Sequence, residues 1–403
     1  MIQAVIFGYF GQGNIGDETN LSELINLLRE IDPGIYLTVI SAAPAITAGE
    51  FDVATVGKYD FQAICHVLQT ADFLIGGGGA LFQDCTSLRS LGYYSFLVLW
   101  AKHFKTKVFL YGQGIGPLRS KLGKYLARLA LAKIDLITVR DRVSIIALAD
   151  LNVKIPELYF TAEPLLVKNQ VAKQLVTGYW KRARSQKRYK IGLIFQATAI
   201  VKKSFWREFI IYLGWDTNVE LYLLTLDRKD WELNQRLAAL HDLEMLDRIT
   251  SWEGLQAAIG GFDLVLSTRL HGLVAAVIQG VPCYGLAIDP KIDGFCLQWG
   301  IPFQVLTEDT EAISLGNKIL CFLHQPLEKQ LNWLSQMDFW RVRALENQAL
   351  LKQFIQTSLP RPRRAQDYEC KLSEDNFHPN VHDSLCQSQT LECKLPDGNF
   401  HPK

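Results

Sequence analysis

Apolar and polar positions alternate along this chain in blocks whose lengths and periods suit buried strands and amphipathic helices. Residues 2–8, Ile-Gln-Ala-Val-Ile-Phe-Gly, form a short apolar run that predicts a buried strand. A glycine-rich turn follows, Gly8-Tyr-Phe-Gly-Gln-Gly-Asn-Ile-Gly16. From Asp17 to Arg29, residues Leu21, Leu24, Ile25 and Leu28 recur at helical spacing and share one face. The run 37–41 predicts the next strand. Strand, glycine turn, helix, strand is the opening of a parallel α/β domain.

The alternation continues. Strands are expected at 72–75, 107–111, 136–139 and 158–160, and helices at 88–104, 122–132 and 142–151. Three of these strands run out into Gly76–Gly79, Gly112-Gln-Gly-Ile-Gly-Pro117 and Arg140-Asp141. Strand C-termini that open into glycine or polar loops mark the ligand rim of a parallel sheet. Residues 181–190 then carry six basic residues and no acidic one. Such a cluster can hold nucleic acid or an anionic membrane surface, but a solvated stretch before a new domain is the simpler reading and is adopted.

A second alternating series starts at Ile191. Its expected strands are 191–195, 219–226, 245–246, 262–267 and 281–288, and its expected helices are 252–260 and 270–279. Helical periodicity then runs from 315 to 352, with a break at Pro326. The expected organisation is an N-terminal α/β domain at 1–177, a basic linker at 178–190 and a C-terminal α/β domain with terminal helices at 191–357. Residues 358–403 form a tail rich in Pro, Asn, Asp, Ser and His and without periodicity, so disorder is expected. Within it Cys370-Lys-Leu-Ser-Glu-Asp-Asn-Phe-His-Pro379 nearly repeats as Cys393-Lys-Leu-Pro-Asp-Gly-Asn-Phe-His-Pro402. Two copies are too few for a solenoid. The tail residues Cys370, Cys386, Cys393, His378, His382 and His401 match no tight finger spacing, so no metal is expected.

Composition narrows the function classes. Of 403 residues 49% are hydrophobic and 21% charged, enough apolar material to exclude disorder of the whole chain. A net charge of +1, from 42 basic and 41 acidic residues, gives no support to a broad nucleic-acid surface. The most apolar stretches, 92–101 and 270–288, are short or broken by Gln, Gly and Pro, whereas a membrane span needs roughly 20 apolar residues. The first residues show no basic n-region followed by a separate apolar segment, so no signal peptide is expected. Eight scattered Cys read as free thiols in a reducing compartment, and a cytoplasmic location follows as an expectation.

Candidate chemistry gathers at the loops. Gly11-x-Gly13-x-x-Gly16 superficially fits a dinucleotide fingerprint, but Asp17 and Glu18 lie where a pyrophosphate would need neutralising, and Ser41-Ala-Ala43 replaces the acid expected after the second strand. The run Gly76–Gly79, which includes Gly77 and Gly78, suits either a backbone wall against a ligand or a tight crossing of two backbones. Gln83, Asp84 and Arg89 follow it, and the Arg89 fork suits a carboxylate or phosphate. Gln113 sits in the next glycine turn, and Arg140 ends the following strand, where it either pairs with a carboxylate or binds an anion. In the second half Ser267-Thr-Arg-Leu-His-Gly272 leaves a strand and enters an apolar helix, placing Ser267, Arg269 and His271 on a polar rim. Lys291 follows Asp289 after another strand, either to neutralise phosphate or as an exposed loop lysine. Two α/β domains with polar rims form a cleft, the usual place for a site.

Together these motifs resemble the polysaccharide pyruvyl transferase family, especially its bacterial cell-surface members. The resemblance rests on Gly8-Tyr-x-Gly-x-Gly-Asn-Ile-Gly-Asp-Glu18, Gly76-Gly-Gly-Gly-x-Leu-x-Gln-Asp84, Thr86-Ser-Leu-Arg-Ser90, Tyr93-Tyr94, Gly112-Gln-Gly-Ile-Gly-Pro117, Val139-Arg-Asp141, Ser267-x-Arg-Leu-His271 and Pro290-Lys-Ile292. It spans residues 1 to about 345 in order. It implies two Rossmann-like domains facing across a cleft, as in GT-B glycosyltransferases. It also implies phosphoenolpyruvate as donor, a sugar with two free hydroxyls as acceptor, a cyclic pyruvate ketal as product, and no cofactor. The acceptor it implies is a glycan or a lipid-pyrophosphate-linked sugar. That brings a peripheral membrane contact into view, with residues 181–190 as the first patch to consider, and leaves room for a homo-oligomer.

Carried onto this chain, the resemblance makes His271 the general acid–base, and Arg140 and Lys291 the holders of the donor phosphate and carboxylate. Asn14 and Asp17 would orient hydroxyls. The chain departs from the family at Thr161-Ala-Glu-Pro164, where Asp is usual, at Ile194–Thr198, which lacks an arginine, and at Thr225–Asp230. Two other readings compete: a GT-B enzyme using a nucleotide-sugar, and a non-catalytic glycan-binding protein.

Overall fold

A purely parallel sheet needs both faces covered, and this chain builds two of them from its alternating halves. The computed structural model describes residues 1–358 apart from 86, 169–187, 199, 203, 242 and 247–248. The tail with its near-repeat and Cys/His residues, and most of the basic stretch 181–190, lie outside the described residues.

The first sheet is formed by β1 (Gln3–Phe7), β2 (Tyr36–Ser41), β3 (Ala54–Gly57), β4 (Phe73–Gly77), β5 (Lys107–Gln113), β6 (Leu136–Val139) and β7 (Glu157–Phe160). The second is formed by β8 (Tyr189–Ile194), β9 (Val219–Leu223), β10 (Glu244–Met245), β11 (Leu264–Ser267), β12 (Cys283–Ala287) and β13 (Phe303–Val305). Strand orders are β3-β2-β1-β4-β5-β6-β7 and β10-β9-β8-β11-β12-β13, with every pairing parallel. In each sheet the order reverses beside its first strand, between β1 and β4 and between β8 and β11. Ligand crevices open at the carboxyl ends of strands at such reversals. The fold is thus two Rossmann-like lobes in a GT-B-like arrangement.

Side-chain caps start the helices that follow several of these strands. Asn14 accepts from the backbone N–H groups of Gly16 and Asp17 and starts helix Ile15–Ile31. Asp141 caps helix Arg142–Leu151, and Asp289 caps Pro290–Trp299 with proline in its first turn. Four apolar clusters cover the two faces of the two sheets. The central strands contribute Val5, Phe7, Leu74 and Ile75 in the first lobe, and Ile191, Leu193, Val265 and Leu266 in the second, all nearly inaccessible.

The last helix, Met337–Ser358, falls in the expected second domain, yet its end packs on the first sheet. Phe354 lies 5.8 Å from Phe73 and 5.4 Å from Phe109, ring centre to ring centre. Leu351 and Ile355 join the same cluster as Ile6 and Leu24. Elements without a sequence expectation are helices Pro44–Phe51, Phe61–Thr70, Phe205–Gly214, Trp231–His241 and Pro290–Trp299, and strands β3 and β13. The helical stretch expected from 315 to 352 divides into Ala312–Leu323, Leu327–Gln330 and Met337–Ser358. No helix among the described residues is long and apolar enough to cross a membrane. The five cysteines among them are free thiols.

Candidate active site

The loop after β1 is closed by its own helix. Glu18 accepts hydrogen bonds from the backbone N–H of Gly11 at 2.8 Å and of Gly13 at 3.3 Å. The oriented N–H groups that would cradle a pyrophosphate in a dinucleotide site are thus taken by an internal carboxylate. Burial raises the Glu18 carboxyl to about 7, against the pull of those same N–H groups. Gly16 has a different duty. A Cβ placed there would fall 1.8 Å from Nδ1 of His271, so only glycine leaves room for the imidazole.

The four-glycine run after β4 serves two purposes. Gly77 is packed between Leu24 and Phe10, and Gly78 lies against Asn20 with φ at +53°, so both form the inner wall. Gly79, with φ at +77°, reaches the cleft, and a Cβ there would sit 3.1 Å from the Asp17 carboxylate. Gln113, fully buried, donates to the Gly79 carbonyl at 2.8 Å and locks that turn. Asp84 accepts from Arg119 N, Ser120 N and Ser120 Oγ, each at 2.7 Å, and so anchors the start of the helix Lys121–Leu131. These hydrogen bonds hold the Asp84 carboxyl below its ordinary value despite the opposing effect of burial. Arg89 is exposed on helix Leu88–His103 and is not part of the cleft lining. Ser267 shapes the turn after β11, its hydroxyl donating to Arg269 O at 2.7 Å and accepting from Arg269 N at 3.0 Å.

The charged groups converge from both lobes. Arg140, at the end of β6, donates from Nη1 to Glu163 Oε2 at 2.7 Å, and its Nε lies 3.6 Å from Asp141. Arg140 and Glu163 are both almost completely buried. Arg269 is clamped by Asp227 at 3.1 Å and Asp230 at 2.6 Å. His271, the second residue of helix Leu270–Gln279, keeps only 9% of its surface exposed. Among the described residues its Nε2 has no hydrogen-bond partner, and it stands 3.9 Å from Glu163 Oε1. Lys291 is the least committed cation, about a third exposed and 3.4 Å from Asp289.

These side chains line a cleft of about 330 Å³. From the first lobe come Tyr9, Asn14, Asp17, Gln83, Tyr94 and Arg140, and from the second Gln196, Asp227, Lys229, Arg269, His271 and Lys291. Of the residues expected from sequence, Asn14, Asp17, Gln83, Arg140, Arg269, His271 and Lys291 are brought together. Gly77, Gly78, Asp84, Gln113 and Ser267 hold the walls instead, and Arg89 lies apart.

Electrostatics divides the titratable groups. Burial and then the charges of Arg140, Lys291 and Arg269 lower the His271 imidazole to about 3, leaving it neutral near pH 7. Burial raises the Asp17 carboxyl to about 6, although Lys291 and Arg140 pull it down. Titratable groups shifted this far by burial and by specific charges within one cleft mark a candidate functional site.

Sequence reading did not assign Glu163, Tyr9, Lys229 or Asp227 to the site. Lys229 donates to the Tyr9 hydroxyl, joining the lobes at the cleft edge. Lys58 also lies beside Tyr9, its Nζ 5.3–5.9 Å from the ring centres of Tyr9, Tyr59, Tyr93 and Tyr94. Burial and the nearby Lys229 charge lower the Lys58 pKa. The lobes also meet where Ile15 N donates to Leu226 O at 3.2 Å and Asn14 Nδ2 donates to Asp227 at 3.4 Å. Tyr9 lies in the first glycine-rich turn, directly after Gly8, whereas Glu163, Asp227 and Lys229 stand out in the sequence only as departures from the family pattern.

Solved structures share this fold at low identity. The Anabaena protein Alr3699/HepE in complex with UDP-glucose superposes with a TM-score of 0.57 and 13% identity, covering 89% of this chain and 100% of that one. The S. aureus MnaA–UDP structure gives 0.58 and 11%, covering 89% and 98%. The Methanocaldococcus jannaschii UDP-GlcNAc 2-epimerase in complex with UDP-GlcNAc and UDP gives 0.53 and 12%, covering 81% and 94%. Among curated proteins no sequence matches significantly. The model of the polysaccharide pyruvyl transferase family matches residues 14–290, a span that runs from Asn14 of the first glycine loop through Arg140 and His271 to the start of the Lys291 helix. This chain belongs to the polysaccharide pyruvyl transferase family, and it is a transferase.

Proposed function

We propose that the protein transfers the pyruvyl group of phosphoenolpyruvate to two hydroxyls of one sugar in a cell-surface glycan or its lipid-linked precursor, giving a cyclic ketal and inorganic phosphate. The observation that carries this reading is a neutral, buried imidazole, His271, among the cations Arg140, Arg269 and Lys291. In the reaction two C–O bonds form at the enol carbon and its C–O bond to phosphate breaks, while the neighbouring CH2 takes one proton and becomes CH3. Two hydroxyl protons are released. One balances the proton taken up by carbon, and the other leaves with phosphate or solvent.

Burial and the neighbouring cations favour the neutral imidazole of His271, which takes a proton from an attacking hydroxyl. Entry of a multiply charged anion raises the imidazole pKa and lets it accept that proton, and departure of the phosphate lowers it again, which lets the same group return the proton. Lys291 and Arg140 hold the donor phosphate and carboxylate by charge-assisted hydrogen bonds that strengthen as the phosphate departs. Asn14 and Asp17 orient the acceptor. Beyond them, the half-buried Tyr9 offers an aromatic ring for a sugar, and the cations Lys58 and Lys229 beside it suit an acidic group further along the acceptor.

Solved structures of the same fold are complexes with UDP-glucose or with UDP-GlcNAc and UDP, so nucleotide-sugar use is the competing reading. Calorimetry with phosphoenolpyruvate and with UDP-glucose separates the two. Phosphoenolpyruvate is expected to bind one site, to be weakened about tenfold or more by Lys291→Ala, and to be indifferent to UDP-glucose. Binding of UDP-glucose without binding of phosphoenolpyruvate would overturn the proposal.

A further inference from the structure

Among the described residues, one helix near the cleft has a face that neither the fold nor the site uses. Helix Lys121–Leu131 packs on its neighbours through Gly123, Ala127, Ala130 and Leu131. The opposite side carries two adjacent ridges. Leu122, Tyr125 and Leu129, spaced three and four apart, are 53%, 58% and 39% exposed. Lys121, Lys124 and Arg128 run beside them, also exposed. Arg119 and Lys133 flank the helix, and no acidic residue occurs from 118 to 134. Single exposed apolar side chains are ordinary, but an apolar ridge edged by cations and free of acids is not.

We propose that this face docks on an anionic lipid bilayer, with Leu122, Tyr125 and Leu129 entering the headgroup boundary and Lys121, Lys124 and Arg128 engaging lipid phosphates. Charge complementarity selects that occupant. A second copy packed antiparallel through the same ridges about a two-fold axis would set cation against cation. The placement is functional. Pro117, four residues before the helix, lines the cleft, and Asp84 ties Arg119 and Ser120 to the segment that carries Gln83 of the cleft wall. Docking here would hold the cleft mouth close to the surface where a lipid-linked sugar presents its head. That purpose rests on the acceptor proposed above, whereas the docking itself does not.

The test is co-sedimentation of the full chain with phosphatidylglycerol-containing vesicles against pure phosphatidylcholine vesicles. Neither donor nor acceptor is present, so failure here leaves the transfer chemistry standing. The intact chain is expected to bind the anionic vesicles more tightly, and less so as salt rises. A basic residue near such a surface contributes about a fivefold gain, so Lys121→Gln with Lys124→Gln and Arg128→Gln should weaken binding about a hundredfold. Leu122→Ser with Leu129→Ser should also weaken it, while circular dichroism and a melting midpoint like the parent's report an intact fold in both variants. Neutralising the basic residues of 181–190 should leave vesicle binding in place. Equal binding to both vesicle types, unchanged binding by the triple variant, or loss on neutralising 181–190 would each overturn the proposal. So would loss of a dimer in the triple variant without any vesicle binding by the intact chain.

Discussion

Gly16 and His271 are packed directly against each other across the cleft: a methyl group on Gly16 would fall 1.8 Å from the imidazole Nδ1. The last glycine of the first-lobe motif is therefore the seat of a second-lobe side chain. Helix Ile15–Ile31 begins at this seat, and the Glu18 carboxylate fixes the loop before it.

Gly16→Ala is expected to displace the imidazole while leaving Lys291 in place. Turnover should fall by about a hundredfold or more, as for misplacement of a reacting group by about 1 Å. The dissociation constant for phosphoenolpyruvate should change little. Steady-state kinetics with calorimetry checks both, and a variant with normal turnover would separate His271 from the chemistry.

His271→Gln should abolish transfer and keep donor affinity, because the proposed task is proton transfer. It should also alter acid stability in a defined direction. The imidazole is lowered from 6.5 to about 3 in the folded chain, so below about pH 6.5 the unfolded chain takes up a proton that the folded one refuses. This group's contribution is intact above pH 6.5 and is lost as pH falls toward 3. Thermal melting midpoints of the variant should therefore decline less steeply than those of the parent between pH 6.5 and 4. Parallel curves would contradict the burial of a neutral imidazole.

How much of this was legible in the sequence depends on range. The strand–glycine–helix openings were legible because their signals are local: apolar runs, punctuating glycines, capping residues. Edge strand β3, with four half-buried residues, has no such contrast, and helix Phe205–Gly214 hides its period in aromatic residues. Within the site, Asn14, Arg140, His271 and Lys291 stand at strand ends, where position alone points to a rim. Glu163 was seen only as a departure from the family motif. Its partners Arg140 and His271 lie 23 and 108 residues away, and no periodicity encodes such pairing. Gly77, Gln113 and Asp84 carried the same loop signal as true cleft residues, yet their hydrogen bonds and packing turn inward.

Glu163→Gln should cost about 3 kcal/mol of stability, since it removes the charge paired at 2.7 Å with the buried Arg140 guanidinium and leaves Asp141, at 3.6 Å, as its remaining ion pair. Chemical denaturation measures this directly. Glu163→Asp restores the charge and should recover part of the loss. A neutral effect of the glutamine variant would mean that Arg140 is satisfied without Glu163.

At the cleft edge Lys229 and Tyr9 link the lobes. Lys229→Ala is expected to raise the KM for the glycan acceptor about tenfold, the loss of one hydrogen bond to a charged group, with donor affinity unchanged. Equal weakening of donor and acceptor would move Lys229 to the donor side.

The most direct test of the account follows the pyruvyl carbons themselves. Carbon-labelled phosphoenolpyruvate is incubated with the protein and a lipid-linked glycan extract from its own source, with His271→Ala as control. The account predicts acid-labile label in the glycan and release of one phosphate per pyruvyl group, with neither seen for the variant. Label incorporated equally by the variant, or no incorporation together with no phosphoenolpyruvate binding by the intact chain, would contradict it.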